Sequence, residues 1–520
     1  MTEEYTGIFD IPPAGGGLNE SERLLARLCR KSFLSLWAFA NLHTDEGFKD
    51  GRGSAKEFTD ALLIFGNDIV LFSDKHVMFH EDKPVDVGWA RWYRKAIHKS
   101  AQQLYGALNW LRRFPNRIYL DGKCSRPLPI SIPDPSEARH HLVAVTRGSY
   151  DACAKWFPGS LGSLQIATDI HGVPQASRPF TVGSGEVGKP FLHIFDEFSL
   201  EVVLKEFDTA VDFITYLRAR ETFLGDQNHL VMAAGEEQLV ASYQLNSDGQ
   251  NHWFTDRSAE AEKASLLSFD ESIYPSLRKR SEYRAKQIAD KPSYVWDELI
   301  ERFIRLGDPN IVDPEFVQNN AETEEGLRII ASESRFRRRM LVGSLREVML
   351  KAAENSSGGW IARTVTAEGS NLVYIFLIFP KLEKDSYDSY RKYRVAVLHA
   401  YCKSAKLKFP AAGTFVGIAF DHPLKNYSGA SEDLIIYRGE SLSSEDRADI
   451  EARRRELNIL SDSLIPQNLH QDEFPEVLEK ERVSASPDSK LREASKEQAR
   501  HKKRKRDAVR ASRRKNRKKK

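Results

Sequence analysis

Between residues 56 and 76 the chain reads KEFTDALLIFGNDIVLFSDKH. Two apolar runs flank a Gly-Asn-Asp break, and Asp60, Ser73, Asp74 and Lys75 stand towards their outer ends. A carboxylate and a lysine on otherwise apolar strands are costly unless solvated, paired or bound to an ion. The plain reading is an Asp60–Lys75 ion pair at a sheet margin. The chemical reading is a carboxylate bound to an ion.

Strand side chains alternate with period two. If Gly66-Asn67 is a two-residue turn, Asp60 faces Ser73, and Lys75 lies one diagonal step away on the same patch. If the turn also takes in Asp68, Asp60 faces Asp74 and Lys75 moves to the reverse side. The turn residues leave both registers open.

The stretch resembles the core of the PD-(D/E)xK nuclease superfamily, in its nuclease-related-domain and restriction-endonuclease-like branches. In that pattern an Asp precedes an apolar hairpin that ends in Glu-x-Lys. The family's Glu and Lys positions, 13 and 15 after the Asp, are occupied here by Ser73 and Lys75. Glu22 in SERLLARL matches an acidic residue in the preceding helix. Gln103 in SAQQLYGAL, or Gln102 beside it, matches a glutamine on the following one. The resemblance spans about residues 18–115.

The resemblance implies a restriction-endonuclease-like core that hydrolyses phosphodiesters with Mg²⁺ (or Mn²⁺). The substrate would be nucleic acid, DNA before RNA, in antiviral or other defence against foreign DNA, or in genome maintenance. Asp60 would be the principal metal ligand, and Lys75 would assist the nucleophile. Glu22 would ligate or orient from outside, and Gln103 would touch phosphate or water. A Ser73 hydroxyl is a poor ligand for Mg²⁺, so Glu57 or Asp74 must supply the second oxygen. Both have the wrong parity for a flat hairpin and need a β-bulge. Two further readings stay open: a nuclease that needs a protein partner or a second copy, and an inactive descendant that only binds nucleic acid.

The elements that must position these residues read as an α/β (α+β) chain. After a leader at 1–17, residues 18–245 form an αββα core with an extension of strands and helices. A charged helical connector covers 246–323, and a second, smaller α/β domain covers 324–460. From 461 to 520, Pro, Ser, Glu and Lys dominate, and disorder is expected. In the helix of DVGWARWYRKAIHKSAQQLYGALNWLRRFP, Trp89, Tyr93, Ile97, Leu104, Leu108 and Leu111 make a buried stripe. Arg91, Arg94, Lys95 and Lys99, with His98 and Trp92 among them, make a basic face suited to phosphate. The run SRFRRRM holds Arg335, Arg337, Arg338 and Arg339, as a domain-contact or nucleic-acid face.

Bulk properties bound the rest. No run of 18 apolar residues suits a membrane span. Four scattered cysteines without a C-x-x-C pair suit a reducing cytoplasm. The net charge of +3 hides an asymmetry: residues 500–520 carry 14 Lys and Arg against one Asp, which leaves −10 on the remainder. Within that tail Lys502, Lys503, Arg504, Lys505 and Arg506 form the densest run, a site for a polyanion. The scaffold alternative would act through it. GSGEVGKP at 183–190 is no phosphate loop, because Pro190 stands where Ser or Thr is needed.

Overall fold

A computed structural model describes residues 20–49, 52–249, 251–307, 320–355, 359–382, 385–423, 431–439, 441–461 and 467–475, with Phe9 and Ile11 from the leader. The fold is mixed α/β. Its contacts divide it into two units. One holds residues 1–290, 294–336 and 472–474, and the other is built mainly on 337–471. The helices between 273 and 306, expected as part of a connector at 246–323, group with the first unit, apart from a short turn at 291–293.

The first unit opens with helix α1 (Glu20–Phe33). Its acidic first turn (Glu20, Glu22) and basic last turn (Arg30, Lys31) match the helix dipole. Leu25, Cys29 and Phe33 form its inner face. Strands β1 (Ala38–Thr44), β2 (Lys56–Phe65) and β3 (Asp68–His76) follow as an antiparallel meander. The chain then crosses through α2 (Val85–Tyr93), one π-helical turn (Arg94–His98) and α3 (Lys99–Arg113). After the short β4 (Ile118–Tyr119) it returns as β5 (Arg139–Arg147), parallel to β3. A parallel pair needs such a crossover, whereas β2 and β3 need only a hairpin.

Strands β6 (Gln165–His171) and β7 (Thr181–Ser184) belong to a separate four-stranded sheet. Strand β8 (Leu192–Asp196) then completes the first sheet, in the order β8-β5-β3-β2-β1-β4. Leu62, Leu63, Ile69, Val70, Leu71, Phe72, Val143, Ala144 and Val145 are all essentially inaccessible to solvent. Central strands covered on both faces explain why their sequences read as continuous apolar runs. Helix α4 (Glu197–Glu206) is capped by Asp196, whose carboxylate accepts from the Phe198 and Ser199 amides. Helices α5 (Ala210–Gly225) and α6 (Glu236–Leu245) follow.

The second unit has a four-stranded sheet, β9 (Ile361–Thr366), β10 (Leu372–Phe379), β11 (Thr414–Asp421) and β12 (Glu432–Arg438), in that order. Its central pair is parallel and is joined by the long helix Tyr387–Lys408, which packs Val397, Leu398, Cys402 and Ala405 on the sheet. Within this unit Arg394 is fully buried and is paired with Asp421 and Asp433. The polybasic run at 502–506 lies outside the described residues.

Candidate active site

The hairpin adopts the register of a two-residue turn. Phe65 pairs with Asp68, and the ladder runs to Ala61 opposite Phe72. Gly66 takes the left-handed conformation (φ +60°) that this turn requires. Continued, the ladder would set Asp60 opposite Ser73 and Thr59 opposite Asp74. It stops instead, and β2 peels away from β3. The Thr59 hydroxyl donates to the Phe72 carbonyl at 2.5 Å. The Asp74 amide, which a continued ladder would give to Thr59, donates to Asp60 Oδ2 at 2.6 Å. The Asp60 carboxylate therefore sits in the gap where the two strands part.

On its other edge β2 carries a bulge. Leu42 pairs with Thr59, but His43 pairs with Glu57, so Phe58 is the extra residue. One extra residue inverts strand parity. It brings Glu57 to Asp60, and α1 brings Glu22. One carboxylate oxygen from each of the three lies within 4.8 Å of the others. Asp60 is 3% exposed, and burial pushes its carboxyl up to about 7, Glu57 adding to the rise while the Asp74 amide and the Lys75 charge oppose it. Lys75 is thus close enough to favour ionised Asp60. Glu57 reaches Asp60 by way of the bulge that its parity demanded.

Asp74, the other candidate ligand, is engaged elsewhere. It points to the face of the sheet opposite Ser73, and both its oxygens receive Arg147 Nε, at 3.1 and 3.2 Å. Burial raises its pKa, Arg147 opposes the rise, and Glu22 adds to it. Asp74 contributes its amide to the cluster, and its carboxylate belongs to Arg147. Ser73 is fully buried towards α3, with its hydroxyl 3.3 Å from Ser100 Oγ and 3.3 Å from Gln103 Oε1. Gln103, then, is the glutamine that meets β3. Gln102 is exposed and meets His98.

Arg91, Arg94, Lys95 and Lys99 are all exposed on the crossover helices. Trp92 does not join them. It is 2% exposed, stacks on Trp89 and donates its indole N–H to the Val77 carbonyl. The π turn that begins two residues later widens the buried face, so Trp92 and Ala96 lie inside beside Tyr93 and Ile97. Arg335 is buried rather than displayed, and it pairs with Asp208 and Asp297.

Sequence reasoning passed over Arg147, and over His193 and Glu221, which form a second polar cluster with His141. His141 Nδ1 and His193 Nε2 both meet Glu221 Oε1, at 2.8 and 2.9 Å, while His141 Nε2 meets Asp68 at 3.1 Å. Arg139 and Arg218 also clamp Asp68. Three groups so close have the composition of a metal site. However, His193 Nδ1 lies 3.2 Å from Arg220 Nη1, which can only donate. His193 therefore carries its proton on Nε2 and gives it to Glu221, which leaves no lone pair for a cation. Burial alone would raise Glu221, yet the two histidines outweigh it and hold the carboxyl at about 2. The cluster is a closed ion-pair network.

Comparison of the chain with protein-family models, curated proteins and solved structures finds no match. No helix among the described residues is long and apolar enough to cross a membrane.

Proposed function

We propose that the first unit is a PD-(D/E)xK-like nuclease, which hydrolyses phosphodiesters at Asp60, Glu57, Glu22 and Lys75. The observation that carries this reading is the convergence of the three carboxylates beside Lys75, at the point where β2 parts from β3. The order helix, three-stranded meander, helical crossover and parallel strand supports it. Glu57 takes the place that Ser73 leaves empty.

The site fits Mg²⁺ or Mn²⁺. Its donors are hard carboxylate oxygens, and crowding three of them around a buried Asp60 is unfavourable until a cation offsets the charge. Asp60, Glu57 and Glu22 would hold that ion, which would supply Lewis-acid polarisation of the phosphoryl oxygen and a more acidic water. The Asp74 amide fixes Asp60, so the principal ligand is oriented before substrate arrives. Lys75 offsets the negative charge that grows on the phosphorus oxygens. Ser73 and Gln103 tie the end of β3 to α3 and keep Lys75 in place. The basic face of Arg91, Arg94, Lys95 and Lys99 offers contacts to a nucleic-acid backbone, DNA in the first instance. A role in defence against foreign DNA or in genome maintenance follows by analogy with the superfamily.

The second reading is a catalytically inactive, nucleic-acid-binding or scaffold protein that acts through residues 500–520. Ser73 in the place of the acid favours it. Metal titration separates the two. The purified chain is expected to cut DNA only with Mg²⁺ or Mn²⁺, and Asp60→Ala and Lys75→Ala are each expected to lower the rate at least ~100-fold. Cutting that survives both substitutions sinks the site.

A further inference from the structure

We propose that Arg147 grips the substrate, by donating to a non-bridging oxygen of the phosphodiester beside the carboxylate cluster. This deepens the nuclease reading and rests on it. Arg147 closes β5, the strand parallel to β3, one residue beyond Thr146, the register partner of Lys75. Its parity puts it on the Asp74 side of the sheet. Arg147 is only 8% exposed, and its Nε is committed to Asp74. Its Nη2 is buried and meets no acceptor among the described residues.

An unmatched buried donor on a charged group is costly, and it calls for an explanation in a native structure. Asp74 supplies the location. Both its carboxylate oxygens accept from Arg147 Nε. Asp74 also ties its own amide to Asp60. One residue thus links the guanidinium to a proposed metal ligand, with part of the planar fork still unused. Guanidinium forks match phosphate oxygens in geometry and charge. A second cation on this side would hold one phosphate oxygen while the carboxylate site engages another. Sequence spacing gives no sign of this role, because Asp74 and Arg147 meet only through the crossover.

The test uses the full chain and a fluorescently labelled mixed-sequence DNA duplex, with Ca²⁺ in place of Mg²⁺ so that binding is read without turnover. Arg147→Lys keeps the charge and a single contact to Asp74 but removes the fork. Affinity for the duplex is expected to fall about tenfold or more, while Mn²⁺ affinity by calorimetry stays within about twofold of the parent. With Mg²⁺, KM is expected to rise more than kcat falls. Should Arg147→Lys fail to fold, the double variant Asp74→Asn/Arg147→Gln removes both buried charges together and is read the same way. Duplex affinity equal to the parent's in the folded variant overturns the proposal. Failure of the metal-nuclease reading looks different: Asp60→Ala would then leave Mn²⁺ binding and cleavage intact, whatever Arg147→Lys does to duplex binding.

Discussion

At the scale of single residues, the proposed site turns on which oxygen stands in for an acid at position 73. If Glu57 does, Glu57→Gln is expected to weaken Mn²⁺ binding about tenfold or more with little change in melting temperature, since Glu57 is exposed. Calorimetric titration checks this. Ser73 is expected to behave oppositely. Ser73→Ala loses two long hydrogen bonds to α3, at a cost of about 1 kcal/mol, and retains cleavage. Ser73→Glu restores the family's letter at that position but drives a carboxylate into the fully buried contact with Ser100 and Gln103. A marked fall in melting temperature is expected, with no gain in rate. Ser73→Ala that folds and binds metal but no longer cuts would show that the hydroxyl takes part after all.

At the scale of elements, two local irregularities shape the proposed site. The bulge at Phe58 brings Glu57 round to Asp60, and the π turn at Arg94–His98 buries Trp92 while leaving Arg94 and Lys95 outside. Neither can be placed from the sequence. Phe58 is as apolar as its neighbours, so it reads as an in-phase strand residue, and a π turn shows only as a slight widening of an apolar stripe. The stripe itself is legible: Trp89, Tyr93, Ile97, Leu104, Leu108 and Leu111 are all buried. The hairpin is half legible. Gly66-Asn67 permits both registers, and the structure takes the shorter turn because that pairs Phe65 with Asp68, where Arg139, His141 and Arg218 receive the carboxylate. Those partners lie 71 to 150 residues away in sequence, beyond any local pattern. The turn depends on Gly66 at φ +60°. A Cβ there meets Arg328 only at ordinary contact distance, so Gly66→Ala isolates the backbone cost. Urea denaturation is expected to show a loss of about 1 kcal/mol. A neutral result would mean that the hairpin tolerates another turn type.

At the scale of the whole molecule, charge is distributed unevenly, and buried acids give stability a definite response to pH. Burial pushes Glu237 up to about 7, against the hydrogen bonds of Ser163 and Gln238, and pushes Asp196 up to about 6, against the amides that cap α4. An acid whose folded pKa is raised favours the fold below its unfolded value and loses that contribution as pH rises towards the folded one. Glu221 acts in reverse, because its depressed pKa contributes above about 4 and fades as pH falls. Stability is therefore expected to decline between about pH 4 and pH 7, through Glu237 and Asp196 together. Glu237→Gln keeps both hydrogen bonds, because the Ser163 hydroxyl can accept as well as donate. It is expected to melt higher than the parent at pH 8 and about the same at pH 4.5, by an increment of order 3 kcal/mol at most. Thermal denaturation at the two pH values decides this, and equal melting at pH 8 would mean that Glu237 ionises in the fold without penalty. The tail responds to salt instead. Its 14 cations and single acid stand against a remainder of −10, so they attract a polyanion that the body as a whole repels. Removing residues 500–520 is expected to flatten the dependence of DNA affinity on salt, because fewer phosphates are neutralised and fewer counterions released. Arg147, buried and directional, contributes little to that slope. The truncated chain is accordingly expected to bind DNA weakly at low salt yet still to lose affinity on Arg147→Lys. If truncation alone abolishes binding at every salt concentration, the folded units do not engage nucleic acid and the scaffold reading prevails.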